Sequence, residues 1–300
     1  MALAHRDGPG APGALTPPCG DGSLAPMTRI LLQTTIQPTA DDWHIGRFSR
    51  LRDHLASLEG VEVVARDRAA PPGETDPVLG SLDRSDFDQL WLFAVDVGDG
   101  LNAEECAAIG RFRKAGGGLM VTRDHMDLGC SICTLGGIGK AHYFHSKNLD
   151  PDDSRNRRDD PDTLNIDWPN YHSGANGDVQ ALEIVGERHP ILEGVDRLPS
   201  HPHEGAVGAP PDEPQARVVS RGVSQSTGRP FNIAVVFEAG PEGGRALAES
   251  TFHHYCDYNL DPRDGCPSFV DEPPGDAIVR DPTALPEVLR YFTNVARWLS

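Results

Sequence analysis

Positive charge is scarce in this sequence of 300 residues: 27 lysines and arginines stand against 45 aspartates and glutamates, a formal net charge of −18. An excess of that sign repels phosphate backbones and anionic lipid surfaces, which argues against nucleic acid and membrane surfaces as partners. Long apolar runs are missing as well. None approaches the roughly 18 to 20 residues that span a bilayer, so no membrane-crossing helix is expected. Cysteine is sparse: the six thiols (Cys19, Cys106, Cys130, Cys133, Cys256 and Cys266) are too scattered for a disulfide scaffold. They point to free thiols in a reducing compartment, and a cytoplasmic location is expected. No G-x-S-x-G elbow, P-loop or G-x-G-x-x-G turn stands in the right context, which argues against serine α/β-hydrolases, nucleotide hydrolases and dinucleotide enzymes.

Glycine, proline and histidine are what the chain has in quantity. Its 32 glycines and 26 prolines exceed the roughly 12% of average usage, so long loops belong to the design. With 38% hydrophobic residues a sizeable core can still be buried. Most of the twelve histidines fall in a few loop motifs and not on periodic faces.

Residues 1–26 are rich in Gly, Ala and Pro and are expected to be a disordered tail, with translation starting at Met27. Beyond it, short apolar runs alternate with amphipathic segments, the pattern of βα units on a mostly parallel sheet. Strands are expected at Arg29–Ile36, Val61–Ala65, Gln89–Val95 and Leu119–Thr122. A first helix carries Trp43, Ile45, Phe48, Leu51, Leu55 and Leu58 and ends at Gly60; a second opens on the Asn102/Glu105 capping box and stops at glycines 116–118. The alternation breaks down over about 129–178, a polar stretch long enough to be a functional insertion that folds over the sheet edge. Later strands are expected at Val179–Val185, Arg217–Ser220, Asn232–Phe237 and Arg245–Glu249, and a closing helix at Ala284–Leu299. No internal repeat or second linker is evident. The reading is a single α/β domain over 27–300, with helices on both faces of the sheet and a long loop-rich insertion.

In an open parallel sheet, ligands bind beyond the carboxyl ends of the strands. The residues there are Thr34, Thr35 and Gln37, then Asp96 and Asp99, then Arg123, Asp124, His125 and Asp127, and last Ser250, Thr251, His253 and His254. In RDHMDLGCSIC, Asp124 is placed to orient His125 as base or ligand, whereas the single CxxC of Cys130 and Cys133 lacks the partners of a structural zinc site. In STFHHYCDYN, adjacent histidines on extended chain point to opposite sides; a helical turn would instead bring His253 and Asp257 to one face for a metal. LPSHPHEGAV gathers His201, His203 and Glu204, an imidazole and carboxylate set suited to acid–base work or metal ligation. YHSGANGD adds His172 and Asn176, and KAHYFH adds His142 and His145.

Taken together, MTRILLQTT, FDQLWLF, LNAEECAAIGRFRKAGGGLMVTRDH, HPILEGV and GRALAESTFHH resemble the class I glutamine amidotransferase-like superfamily, in particular its ThuA-like and uncharacterised bacterial branches. The resemblance implies a flavodoxin-like fold and a polar, carbohydrate-like substrate class. In true amidotransferases a nucleophilic cysteine follows the glycine-rich strand. That position falls here at about Asp124 or His125, so glutamine hydrolysis through a thioester is not expected.

The function read from the sequence is an enzyme that acts on a small polar substrate by His/Asp acid–base or metal-assisted hydrolysis or elimination. The alternative is a non-catalytic binding or assembly module on the same fold. Catalytic roles are expected for Asp124, His125, His203, Glu204 and His253, and substrate contacts for Asp96, Arg123, His172, Asn176 and Thr251. A divalent metal, zinc or iron, would be held by His125, His253, His254 and Asp257. A small polar substrate and a second copy of the chain are the expected partners.

Overall fold

The structure, a computed structural model, describes residues 1, 27–135, 137–155, 158–160 and 163–300, without the side chains of Cys133 and Thr134. Residues 2–26 of the expected tail, and the Cys133 side chain of the CxxC, lie outside what the structure describes.

The strands are β1 Thr28–Thr34, β2 Val61–Arg66, β3 Gln89–Phe93, β4 Gly118–Thr122, β5 His142–Tyr143, β6 Val179–Ala181, β7 Glu183–Ile184, β8 Arg197–Pro199, β9 Ala206–Val207, β10 Ala216–Val223, β11 Pro230–Phe237 and β12 Ala246–Glu249. Eight of them form one sheet in the order β2-β1-β3-β4-β12-β11-β10-β7. The pairs from β2 to β12 are parallel, and those from β12 through β11 and β10 to β7 antiparallel. With β12 counted fifth, the parallel part runs 2-1-3-4-5, the flavodoxin-like order. The fold is therefore α/β, a mostly parallel sheet with helices on both faces.

Period-two alternation sorts the strand residues between two apolar layers. Ile30, Leu32, Trp91 and Phe93 face one layer with Leu51 and Leu55 of α1 (Ser49–Ala56) and Val288 and Phe292 of the closing helix, Ala284–Leu299. Leu31, Leu90 and Leu92 face the other with Ile109 and Phe112 of α2 (Ala103–Lys114). Every residue of β3 and β4 is buried, and each large apolar side chain so enclosed contributes about 1.5–3 kcal/mol. The α2 capping box is present: Asn102 Oδ1 accepts from the Glu104 and Glu105 amides (3.1 and 3.0 Å), and Glu105 Oε2 from the Asn102 amide (2.8 Å). Gly116, with φ +108°, turns the chain out of the helix. Among the described residues, no helix is long and apolar enough to cross a membrane.

Two expectations need correction. Trp43 and Ile45 precede α1: Trp43 lies in a loop and Ile45–Phe48 is a 3-10 turn, with His44 accepting from the Gly46 amide (3.1 Å). The strand expected over 179–185 divides. Its first half, β6, pairs with β8 in a separate two-stranded sheet, and its second, β7, forms the edge of the main one.

The decisive feature is that β12, late in the chain, pairs in parallel with β4. Phe252 N–H donates to Arg123 O (2.8 Å) just past both strand ends, so the 123–125 and 250–254 segments lie side by side. The long excursion between them is anchored by the β6–β8 and β5–β9 pairs. It returns to the same edge, where Gly205 N–H donates to Ser250 O (3.0 Å).

Candidate active site

Four segments converge at the carboxyl edge of β4 and β12, on a cavity of about 440 Å³ whose wall includes Asp124, His125, Asn176, His201, His203 and His253. Met126, with a left-handed φ of 49°, turns the chain just after His125. Asp124 is buried. Its Oδ1 accepts from Thr251 Oγ1 (3.1 Å) and lies 3.1 Å from His201 Nε2, while its Oδ2 lies 3.6 Å from His253 Nε2 and 3.8 Å from His125 Nε2. Burial opposes its ionisation, but the adjacent His201, His125 and His253 imidazoles outweigh it and hold its pKa well below the usual carboxylate range.

The imidazoles of His201 and His253 stack with centroids 3.6 Å apart and planes 11° from parallel. Two asparagines set their tautomers. Asn259 Nδ2 donates to Ser200 O (2.8 Å) and to Asn176 Oδ1 (3.0 Å), leaving Asn259 Oδ1 to face His253 Nδ1 (3.1 Å). Asn176 Oδ1 in turn faces His201 Nδ1 (2.8 Å). Both rings therefore donate through Nδ1, and both Nε2 atoms face Asp124. The buried Nε2 of His201 makes no hydrogen bond. Burial, and then the nearby His253, push the His201 pKa well below its ordinary value.

His125 and His203 form the next layer, edge-on with centroids 5.4 Å apart. Burial is the main cause that lowers His125 to about 4, so its ring is neutral at pH 7. His203 Nε2 is 3.0 Å from Glu272 Oε1, and its Nδ1 is 3.3 Å from Asp160 Oδ2, a carboxylate supplied by the insertion.

Not every residue expected at the site is there. Glu204 points away from the cavity. Ser173 Oγ and Ser250 Oγ donate to its carboxylate (both 2.6 Å), and Gln180 and His254 also contact it. His254 is not with the other imidazoles, because it sits in the core between Glu204 (3.4 Å) and Glu249 (2.9 Å). Burial opposes its charge, yet Glu204 and Glu249 outweigh it and hold the imidazolium up to about 10. Asp257 accepts from the Ser49 and Arg50 amides (3.0 and 2.8 Å), capping α1 instead of sharing a face with His253. Arg123 is fully buried. Its guanidinium donates to the carbonyls of Tyr143, Met126 and Ala206 and stacks on Phe144 (4.3 Å), so it ties loops together and is not offered to a ligand.

Asp96 lines the cavity with both oxygens engaged, by Thr35 Oγ1 (2.7 Å) and Ser131 Oγ (2.8 Å) on one and the Gly98 and Ser131 amides (2.9 and 3.1 Å) on the other. Thr251 touches Asp124 and caps the turn that carries His253 (3.1 Å). His172 is not part of the cavity wall, and His142 packs between the carbonyls of Ile138 (3.1 Å) and Val121 (3.3 Å). Sequence reasoning gave no role to Asn259, Glu272 or Asp160, and grouped His201 with His203 and Glu204 for acid–base work or metal ligation without carrying it into the catalytic or metal set. One signal was available for His201: on extended chain, His201 and His203 share a side and Glu204 takes the other.

No family model and no curated protein matches the sequence. Among solved structures the chain is similar to a ThuA-like protein of Bacteroides uniformis, at 12% identity over 97% of this chain and 95% of that one, with a TM-score of 0.44. It is similar also to a cytoplasmic protein of Salmonella typhimurium (8%, 89% and 99%, TM-score 0.48) and to the glutaminase domain of Trypanosoma brucei CTP synthase (13%, 90% and 94%, TM-score 0.46). At such scores the likeness carries no argument about activity, and the architecture rests on the strand order.

Proposed function

We propose that this protein is a hydrolase or lyase that acts on a small, neutral, polar substrate by acid–base chemistry in the histidine-lined cavity. One observation carries the reading. His203 lies on the cavity wall with one ring nitrogen held by Glu272 at 3.0 Å. An imidazole fixed by a carboxylate beside a substrate-sized cavity is an arrangement suited to general acid–base catalysis, a step worth about 10²- to 10⁴-fold. His203 is the proton carrier and Glu272 its positioning residue; the His203 Nδ1, 3.3 Å from Asp160, is the nitrogen that exchanges a proton with substrate, and neutral His125 stands by as a second acceptor.

The lining supports the substrate class. Among the described residues, no lysine or arginine lines the cavity, whereas Asp42, Asp96, Asp99 and Glu272 do. That wall repels phosphorylated and carboxylated molecules and suits neutral, hydroxylated or amide-bearing ones. Apolar Trp43, Ile166 and Phe269 provide faces on which a sugar ring or short chain can pack.

The test is a parallel screen of the wild-type chain and His203→Ala against neutral and charged glycosides, amides and esters, with elimination substrates included. Turnover of a neutral member, reduced about 100-fold or more in the variant with its melting temperature kept within a few degrees, is expected. Equal turnover in both proteins, turnover confined to phosphorylated members, or none across the panel contradicts the reading.

A further inference from the structure

We infer that Asp124, His201 and His253 form a binding site for one divalent transition-metal ion of the zinc or iron(II) class. The inference rests on the same cavity as the proposed function, but its evidence is separate. The asparagine pair commits both imidazoles to donate through Nδ1, which turns the two Nε2 atoms towards the Asp124 carboxylate at 3.1 and 3.6 Å.

The stacked rings, with centroids 3.6 Å apart and planes 11° from parallel, carry both Nε2 atoms to the one carboxylate. His201 Nε2 is buried and aimed at the Asp124 carboxylate, 3.1 Å away, on the wall of the cavity. A single dipositive ion satisfies both lone pairs and the carboxylate together. The three donor atoms lie within 4.8 Å of one another, so small side-chain shifts bring them onto one ion with bonds of roughly 2.0–2.2 Å.

The surroundings agree with ligation. Each imidazole is fixed by an amide acceptor on its other nitrogen, and the carboxylate is held by Thr251, the outer-shell pattern that orients metal ligands. Two imidazoles and one carboxylate favour zinc or iron(II) over calcium and magnesium, which take all-oxygen shells. With three protein ligands on one side, the cavity side of the ion stays open to substrate or water, the arrangement of catalytic metal sites and not of structural ones.

The test uses the full, tag-free chain stripped with chelator and dialysed, then titrated with Zn²⁺ by calorimetry and with Co²⁺ by visible spectroscopy. One equivalent of zinc that survives dialysis is expected, with cobalt bands of a nitrogen and oxygen site and no thiolate charge-transfer band. His201→Ala and His253→Ala should each weaken zinc by at least about 100-fold, whereas His189→Gln, remote from the site, should not. No stoichiometric uptake by the wild-type chain, a thiolate band that moves the metal to Cys130 or Cys256, or unchanged uptake in the variants overturns the inference. The wild-type spectrum decides the matter even where a variant fails to fold. Uptake is read without substrate: a chain that takes up zinc and turns over nothing refutes the catalytic reading alone, and one that turns over a neutral substrate but takes up no zinc refutes the metal site alone.

Discussion

His201 and His253 come from segments far apart in the chain, yet their rings stack 3.6 Å apart and aim their Nε2 atoms at the one carboxylate of Asp124. Asn176 and Asn259 hold that geometry from behind, since the hydrogen bond between their amides (3.0 Å) locks both rings at once.

Removing the lock should loosen the ligands without deleting them. Asn259→Ala takes away the acceptor for His253 Nδ1 and the donor to Asn176, so zinc affinity should fall about 10- to 100-fold while the stoichiometry stays at one. Calorimetry on the variant checks this. An unchanged affinity would mean that the asparagines do not orient the rings.

The adjacent histidines should separate cleanly in mutation. His253→Ala is expected to abolish cobalt uptake with a modest loss of melting temperature. His254→Ala leaves Glu204 and Glu249 facing one another in the core without their imidazolium, and should cost roughly 3–5 kcal/mol. Denaturant unfolding of the two variants beside cobalt titration makes the comparison. Equal stability losses with equal loss of cobalt would contradict the division of roles.

Away from the site, Asp76 predicts an acid limb of stability. Its buried carboxylate accepts from both terminal nitrogens of Arg66 (2.8 and 2.7 Å) and from the Ala69 and Leu79 amides (2.7 and 3.1 Å). Burial raises its pKa, but these bonds outweigh that and hold it far below the ordinary value of 3.8. A depressed folded-state pKa means the contribution is complete above the unfolded value and is lost as pH falls through the range below it. Asp76→Asn should therefore destabilise the chain by roughly 2–3 kcal/mol at pH 7, and the gap should narrow below about pH 4. A gap that stays constant from pH 7 to pH 3 would remove Asp76 as its source.

Much of this was legible in the residues. Strand-end logic led to Asp124, His125 and His253, because β4 and β12 read as buried strands and a parallel sheet exposes the residues that follow them. The closing helix, Ala284–Leu299, matches its expected bounds, since its apolar stripe is long and uninterrupted. What stayed hidden depends on contacts between distant segments. Whether His203 or Glu204 enters the cavity is decided by the β6–β8 pairing and the Tyr171–Glu204 bridge, neither of which has a local signature. Asp257 and His254 were assigned to the wrong partners for the same reason: α1 claims Asp257 and Glu204 claims His254, both from far away in sequence, with nearby Glu249 on the second nitrogen of His254. Asn259 and Glu272 gave no warning, because an isolated amide or carboxylate in a loop looks like any other solvated polar residue.

One ion joining Asp124, His201 and His253 would leave a direct crystallographic signature. A crystal of the zinc-loaded, tag-free chain, with anomalous differences recorded on either side of the zinc absorption edge, tests it most directly. The account predicts one strong peak within bonding distance of the Asp124 carboxylate and of both His201 Nε2 and His253 Nε2, open towards the cavity. A peak at the thiols or on the surface, with none among these three side chains, would contradict it.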